Sequence, residues 1–201
     1  MSESASNLGR RQLLIAATSA VGAVGVVGAA VPFVKSWNPS AKAKAAGAPV
    51  EVNISKLEVG QKLVVEWRGR PVWIVRRSEQ SLKDLEQSKA PLRDPSSNES
   101  KQPEFAHNAY RSIKPEFLVL TGICTHLGCS PTYRPEVGAA DLGGDEWLGG
   151  FFCPCHGSKF DLAGRVYKSV PAPTNLEVPP HHFVTDDIVL IGESAATSGA
   201  A

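Results

Sequence analysis

All four cysteines of this 201-residue chain, and two of its five histidines, lie in two short loops. The first reads Cys124-Thr125-His126-Leu127-Gly128-Cys129, the second Cys153-Pro154-Cys155-His156-Gly157-Ser158. Each loop offers one cysteine–histidine pair at short spacing, Cys124-x-His126 and Cys153-x2-His156, and each carries one further cysteine, Cys129 or Cys155. Two thiolates with two imidazoles suit a tetrahedral zinc ion. They also suit a two-iron cluster with thiolates on one iron and imidazoles on the other. Zinc fingers group their ligands as Cys-x2–4-Cys and His-x3–5-His, which these loops do not. Pairing all four cysteines into two disulfides would leave both histidines without a task. The donor set therefore favours an iron–sulfur centre, with a zinc site and a double disulfide as the alternatives.

Such loops need strands to present them. Phe117 to Thr121 is a short apolar run leading into the first loop, and Trp147 to Phe152 leads into the second. The 26 residues between His126 and Cys153 include Gly138 to Gly144, which reads as a surface excursion. Upstream, Lys62–Arg68 and Arg70–Arg77 flank Gly69 and predict a β-hairpin. Ser81 to Ser88 reads as a short helix, and Ala90 to Glu104, rich in Pro and Ser, as an exposed loop, with Phe105 and Tyr110 back at the core. Beyond the second loop, Gly164–Tyr167, Leu176–Val178 and the pair His182–Thr185 and Ile188–Ile191 read as strands, the last two joined through Asp186-Asp187. Trp67, Trp73 and Trp147 are expected in the core. His107, His181 and His182 read as ordinary turn or surface residues, and Arg76-Arg77 as a solvated strand end.

Composition agrees with a loop-rich β domain: 18 Gly and 15 Pro are about a sixth of the chain. The formal net charge is +1, with no basic stripe of the kind a nucleic-acid partner requires. The N-terminal part differs. Leu13 to Val34 is an uncharged run of 22 residues, long enough as a helix, at roughly 33 Å, to cross a bilayer. Arg10-Arg11 precede it, followed by Gln12-Leu13-Leu14. The arginines would hold this end in the cytoplasm, and the pattern resembles a twin-arginine export signal. A removable signal, cut near Ala41-Lys42-Ala43, is the alternative to a retained anchor. Asn38 to Pro49 has no apolar periodicity and reads as a linker. The expected order is residues 1–12 cytoplasmic with the export signal, 13–34 a transmembrane helix, 35–49 a flexible linker, 50–193 the head domain and 194–201 a frayed tail.

The segments CTHLGC and CPCHGS, with Gly128, Pro154, Gly157 and Ser158, resemble the Rieske iron–sulfur subunits of bacterial cytochrome bc-type complexes, the ubiquinol-cytochrome c reductases. The likeness continues through Gly157-Ser158-Lys159-Phe160-Asp161, Gly164-Arg165, Val170-Pro171-Ala172-Pro173 and Asn175-Leu176-Glu177-Val178-Pro179. It is weak over Ser78–Ile113. The resemblance implies a mainly β fold: a Rieske-type antiparallel β head with one N-terminal transmembrane helix. It implies one 2Fe-2S cluster, with Cys124 and Cys153 on one iron and His126 and His156 on the other. It implies a disulfide between Cys129 and Cys155, which Rieske ferredoxins and ring-hydroxylating oxygenases generally lack and which fits an oxidising compartment. It makes His156 the residue that hydrogen-bonds a membrane quinol and accepts its proton, and it implies a cytochrome b partner and a c-type cytochrome acceptor in a dimeric complex. The head would stand in the periplasm on a single-pass anchor in the inner membrane. The small electron-transfer subunit of a periplasmic molybdenum oxidase, such as arsenite oxidase, resembles the same motif and is the alternative function.

Two positions depart from the family pattern. Ser169-Val170 stand before Pro-Ala-Pro where many members have a tight Gly-Pro, so the covering loop is expected to be one residue longer. Ser158 matches the family's hydroxyl donor to a cluster sulfur, but the tyrosine that often follows two residues later is Phe160 here. Hydrogen bonds near the ligand sulfurs raise the potential of such a centre. This chain should therefore sit lower than relatives that have the tyrosine. Phe160→Tyr is expected to raise the reduction potential, and a redox titration showing no rise would contradict the reading.

Overall fold

The computed structural model describes residues 3–195; positions 196–201 of the expected tail lie outside the described residues. The chain divides into two compact units, Met1–Ala45 and Ala46–Ala201. In the first, α1 (Glu3–Ser36) contains the whole uncharged run and extends past it at both ends, with Pro32 near its C-terminus. Leu13, Ile15, Val21, Val24, Val27 and Phe33 are all exposed, so α1 is apolar around its circumference and finds no protein to bury it among the described residues. It is long and apolar enough to cross a membrane. The expected linker holds a short helix, α2 (Ala41–Ala46). Ser40 caps it, its hydroxyl accepting from the Ala43 amide at 3.1 Å, and Ala and Lys are strong helix formers. Reading this stretch only for apolar periodicity missed both signals.

Among the described residues, the second unit is built from nine short strands in three antiparallel sheets. The middle sheet joins β2 (Lys62–Trp67), β3 (Arg70–Arg76) and β4 (Phe117–Thr121) in the order β2-β3-β4. Arg68 and Gly69 turn the first hairpin, both with positive φ (55° and 70°), as a two-residue turn matched to strand twist requires. The expected hairpin is therefore present. β3 and β4 are apolar at successive positions because both their faces are covered. Trp73, Val75, Leu118 and Leu120 face one core, and Val72, Ile74, Phe117 and Val119 face the other.

The second core is closed by β1 (Val50–Asn53), β8 (His181–Phe183) and β9 (Ile188–Ile191), in the order β1-β9-β8. The first is closed by β5 (Thr132–Arg134), β6 (Gly150–Cys153) and β7 (Ser158–Asp161), in the order β5-β6-β7. Trp73 stacks on Phe151 at 5.2 Å and ties these sheets together directly beneath the cysteine loops. The helix expected over 81–88 is α3 (Glu79–Gln87), capped by Ser78, whose hydroxyl accepts from the Ser81 amide. Trp67, Trp73 and Trp147 are all buried, as expected.

Several expectations are corrected. Arg77 is buried rather than solvated. Its guanidinium donates to the carbonyls of Pro115, Tyr110 and Leu162 and to the Ser112 hydroxyl, so an arginine that reads as surface charge is a backbone staple. The 90–104 stretch is not simply an exposed loop, since Asp94 and Ser97 are buried and Leu92 bridges to Tyr167. Of the expected strands after the second loop, 164–167 makes only isolated bridges, at Val166 and Tyr167. Residues 176–178 join no sheet, because their backbone groups are taken one by one by Gly164, Thr121 and Lys101.

His181 is the sharpest departure from a surface reading: it is fully buried at the start of β8. Nδ1 donates to the Pro179 carbonyl at 2.9 Å, the ring meets Phe105 edge-on at 4.8 Å, and Nε2 has no partner. Burial pushes its pKa down to about 4, with His182 adding in the same direction. The unfolded chain binds this proton below its ordinary 6.5, while the folded chain resists it down to about 4. The neutral ring therefore favours the folded state fully above about pH 6.5, and that advantage is lost as pH falls toward 4. Denaturation of the full chain should show a loss of about 3 kcal/mol from this group across the window. His181→Leu should flatten the profile over the same range; an unchanged slope would contradict the assignment.

Candidate metal centre

The two cysteine loops are built the same way. The first leaves β4 through Gly122, where a Cβ would lie 2.2 Å from the Trp73 ring, so the chain can pass over the indole only as glycine. The second is the turn between β6 and β7, whose last paired residues are Cys153 and Ser158. In each, the residue four after the cysteine is a glycine that donates its amide back to the cysteine carbonyl. Gly128 bonds Cys124 at 3.0 Å, and Gly157 bonds Cys153 at 2.9 Å. Both glycines have positive φ, 84° and 77°, a conformation that costs a side-chain-bearing residue roughly 1–2 kcal/mol. Two matching tight turns thus project side chains toward one another from neighbouring sheets.

Cys129 and Cys155 are joined as a disulfide across the loop tips. Cys124 and Cys153 remain free and buried beneath it. The Sγ atoms of Cys129, Cys153 and Cys155 lie within 4.8 Å of one another, but two of these three sulfurs are already spent on each other. The His126 and His156 rings meet edge-to-face at 4.8 Å, the first half-buried and the second exposed. Leu127 at the tip of the first loop is 72% exposed. Phe160 is fully buried in the core that contains Cys124 and Cys153.

The thiols explain what kind of group this arrangement fits. Burial pushes the Cys124 thiol up, and the neighbouring Cys153 pushes the same way, against a pull from the His126 amide and the Ser158 hydroxyl. Two thiolates side by side in such a place need a cation between them. A group offering positive charge to two sulfurs inside and two imidazoles at the rim satisfies that need. A second disulfide would leave the paired rings unused.

The expected covering loop is part of a longer segment that holds the loops from behind. The chain from Gly164 to Val178 forms a strap across both. The Thr125 hydroxyl in the first loop donates to the Thr174 carbonyl at 2.7 Å, and the Ala172 amide donates to the buried Ser158 hydroxyl at 3.0 Å. Ser169 adopts positive φ (59°) just before the Pro-Ala-Pro, so the strap enters through a left-handed residue although no glycine is there. Arg111, fully buried, donates to the carbonyls of Ala163, Gly164 and Leu176. The one sequence signal for this backing was Asp94-Pro95, a turn-initiating pair.

A family model described as the Rieske [2Fe-2S] domain matches residues 49–180, and one described as the ubiquitinol-cytochrome C reductase Fe-S subunit TAT signal matches residues 1–40. The ubiquinol-cytochrome c reductase iron-sulfur subunit of Allochromatium vinosum is 60% identical over 198 residues, covering 98% of this chain and 95% of that protein. That of Blastochloris viridis is 43% identical over 188 residues, covering 93% and 94%. Among solved structures, a chain of a hyperthermophilic respiratory Complex III is similar with a TM-score of 0.48 and 26% identity, covering 86% of this chain and 96% of that one.

The disulfide closes a loop between residues separated by 26 positions. In the chain-entropy picture a closure of that length is worth about 3–4 kcal/mol. Cys129→Ser and Cys155→Ser should each lower head-domain stability by about that amount in denaturant unfolding, and the double variant should cost little more than either. Fully additive losses would show that the two sulfurs act separately.

Proposed function

The chain belongs to the family of ubiquinol-cytochrome c reductase iron–sulfur subunits, and we propose that it carries electrons from membrane quinol to a c-type cytochrome within such a complex. The single observation that carries this reading is the pair of matching turns, which set two buried free thiols under two imidazoles and lock the tips with a disulfide. Cys124 and Cys153 would hold one iron of the 2Fe-2S cluster, and His126 and His156 the other. When bound, a centre of this type supplies one-electron chemistry at about −150 to +300 mV.

The chain's own residues supply the rest. His156 lies at the exposed rim, so its outer ring edge is free to hydrogen-bond a quinol oxygen and take its proton. His126 offers the other rim edge, and Leu127 at the tip of the first loop gives an apolar surface to the same approach. Burial of Cys124, Cys153 and Ser158 keeps water from the sulfur side. The exposed rim also means that the quinol pocket must be completed by another protein, a cytochrome b, so the chain alone would not oxidise quinol. We place α1 as a retained single-pass anchor in the bacterial inner membrane, with the head exported to the periplasm. This is supported by the apolar circumference of α1 and by the match of residues 1–40 to the export-signal model. Residues 35–49 would then be the tether on which the head moves between quinol and cytochrome, in a dimeric complex.

Purification from membranes tests the reading. The chain should arrive with cytochromes b and c, keep its N-terminal helix by intact mass, and show the visible and paramagnetic spectra of a Rieske centre. Loss of roughly the first 45 residues, as at an Ala-x-Ala-type cleavage site, would favour a soluble subunit instead. His156→Ala should abolish the native spectrum; retention of that spectrum would remove His156 from the ligand set.

A further inference from the structure

Residues 78–113 carry no part of the loop motif, yet the strap over the candidate centre is fastened to them. Asn175, 1% exposed, ties the strap both to itself and to this segment. Its side-chain carbonyl accepts from the Val166 amide at 2.8 Å, and its side-chain amide donates to the Asp94 carbonyl at 2.9 Å and to the Ser97 hydroxyl at 2.8 Å. Its backbone amide reaches the Ser100 hydroxyl at 3.3 Å. The receiving turn is itself rigid: the buried Asp94 carboxylate accepts from the amides of Asn98 and Glu99 and from the Ser100 hydroxyl.

Between Asn175 and the cysteine loops the strap is stiff. Pro171 and Pro173 fix their own φ and restrict Val170 and Ala172 to extended backbone. A displacement at Asn175 is therefore carried to Ala172 rather than absorbed. Ala172 matters because its amide donates to the Ser158 hydroxyl at 3.0 Å, in a place where both residues are fully buried. A hydroxyl has one hydrogen and two acceptor lone pairs. While the Ala172 amide occupies a lone pair, the Ser158 hydrogen must point elsewhere, and Ser158 is the cross-strand partner of Cys153, buried with it among the free thiols. If the amide withdraws, the hydroxyl is free to turn away from those sulfurs.

We propose that Asn175 is a positioning residue: by pinning the strap to the Asp94–Ser100 turn it holds the Ala172 amide on Ser158, and so orients the Ser158 hydroxyl toward the buried sulfurs of the centre. The 90–100 segment then acts as a strut that tunes the centre from a distance, without touching any ligand residue. This rests on the reading of Cys124 and Cys153 as cluster ligands.

The test is a thermodynamic cycle of reduction potentials on the full chain in its membrane complex, with hydrogen exchange over residues 170–175 as a second readout. Ser158→Ala should lower the potential. Asn175→Ala should lower it less, by about fivefold in the one-electron equilibrium constant, the equivalent of one ordinary hydrogen bond, with faster exchange of the Ala172 amide. In the double variant Asn175→Ala should add nothing, because its effect passes through Ser158. If Asn175→Ala does not hold a cluster, Ser97→Ala, which removes one acceptor outside the strap, should give a smaller shift of the same sign. An unchanged potential in Ser97→Ala and in any cluster-bearing Asn175→Ala protein, or full additivity with Ser158→Ala, would overturn the proposal. A wild-type protein with no Rieske spectrum would instead overturn the reading of the site on which it rests.

Discussion

Two free thiols lie side by side in the interior of the head, and their desolvation is the constraint around which the loops are arranged. A buried thiolate pair repels itself and has lost its water, so it persists only if a cation is supplied and if the turns cannot spread to let solvent in. Each turn meets this with a backbone bond from its own glycine, and the disulfide fixes the two tips together. The imidazoles then stand at the rim, where one of them remains open to a partner. Removing charge inside and keeping access outside are met by one construction.

The scaffold beneath is correspondingly over-determined. The middle sheet is covered on both faces, which is why its strands lack the alternation of a half-solvated sheet. Trp73 stacks on Phe151 across the two sheets from which the loops grow, and Gly122 is confined by the same indole. Behind the site, buried arginines replace regular pairing. Arg77 and Arg111 each gather several carbonyls from segments distant in sequence, where no strand partner is available. Burying such charges is costly unless every donor is used, and these guanidiniums are held through multiple bonds to backbone oxygen. The strap thus has a defined path although it joins no sheet.

Part of this was legible from residue order because the signals are local. The two loops, the strands running into them, the hairpin at Gly69, the helix after Ser78 and the uncharged N-terminal run each depend on residues within one or two turns of chain. So does the pairing of Cys124 with His126 and of Cys153 with His156 at short spacing. The errors share a cause. His181 and Arg77 belong to residue types that are usually exposed, and nothing in their neighbours announces that Phe105 or three remote carbonyls will cover them. The ends of the strap, 164–167 and 176–178, and the turn at 94–100 were read as strands and an exposed loop because their bonds are to distant segments, not to their own neighbours.

Sequence alone determined the donor set and the division into an apolar helix and a β head, since these follow from residue type and short spacing, and the resemblance of its two loop motifs pointed to the family. Tertiary structure bore out the expected disulfide by bringing Cys129 to Cys155, and it decided how far each imidazole is exposed and what backs the loops. Those outcomes depend on the distance and burial of atoms up to about eighty positions apart, as with Asn175 and Asp94. No local pattern of polarity encodes a hydrogen bond made at that separation.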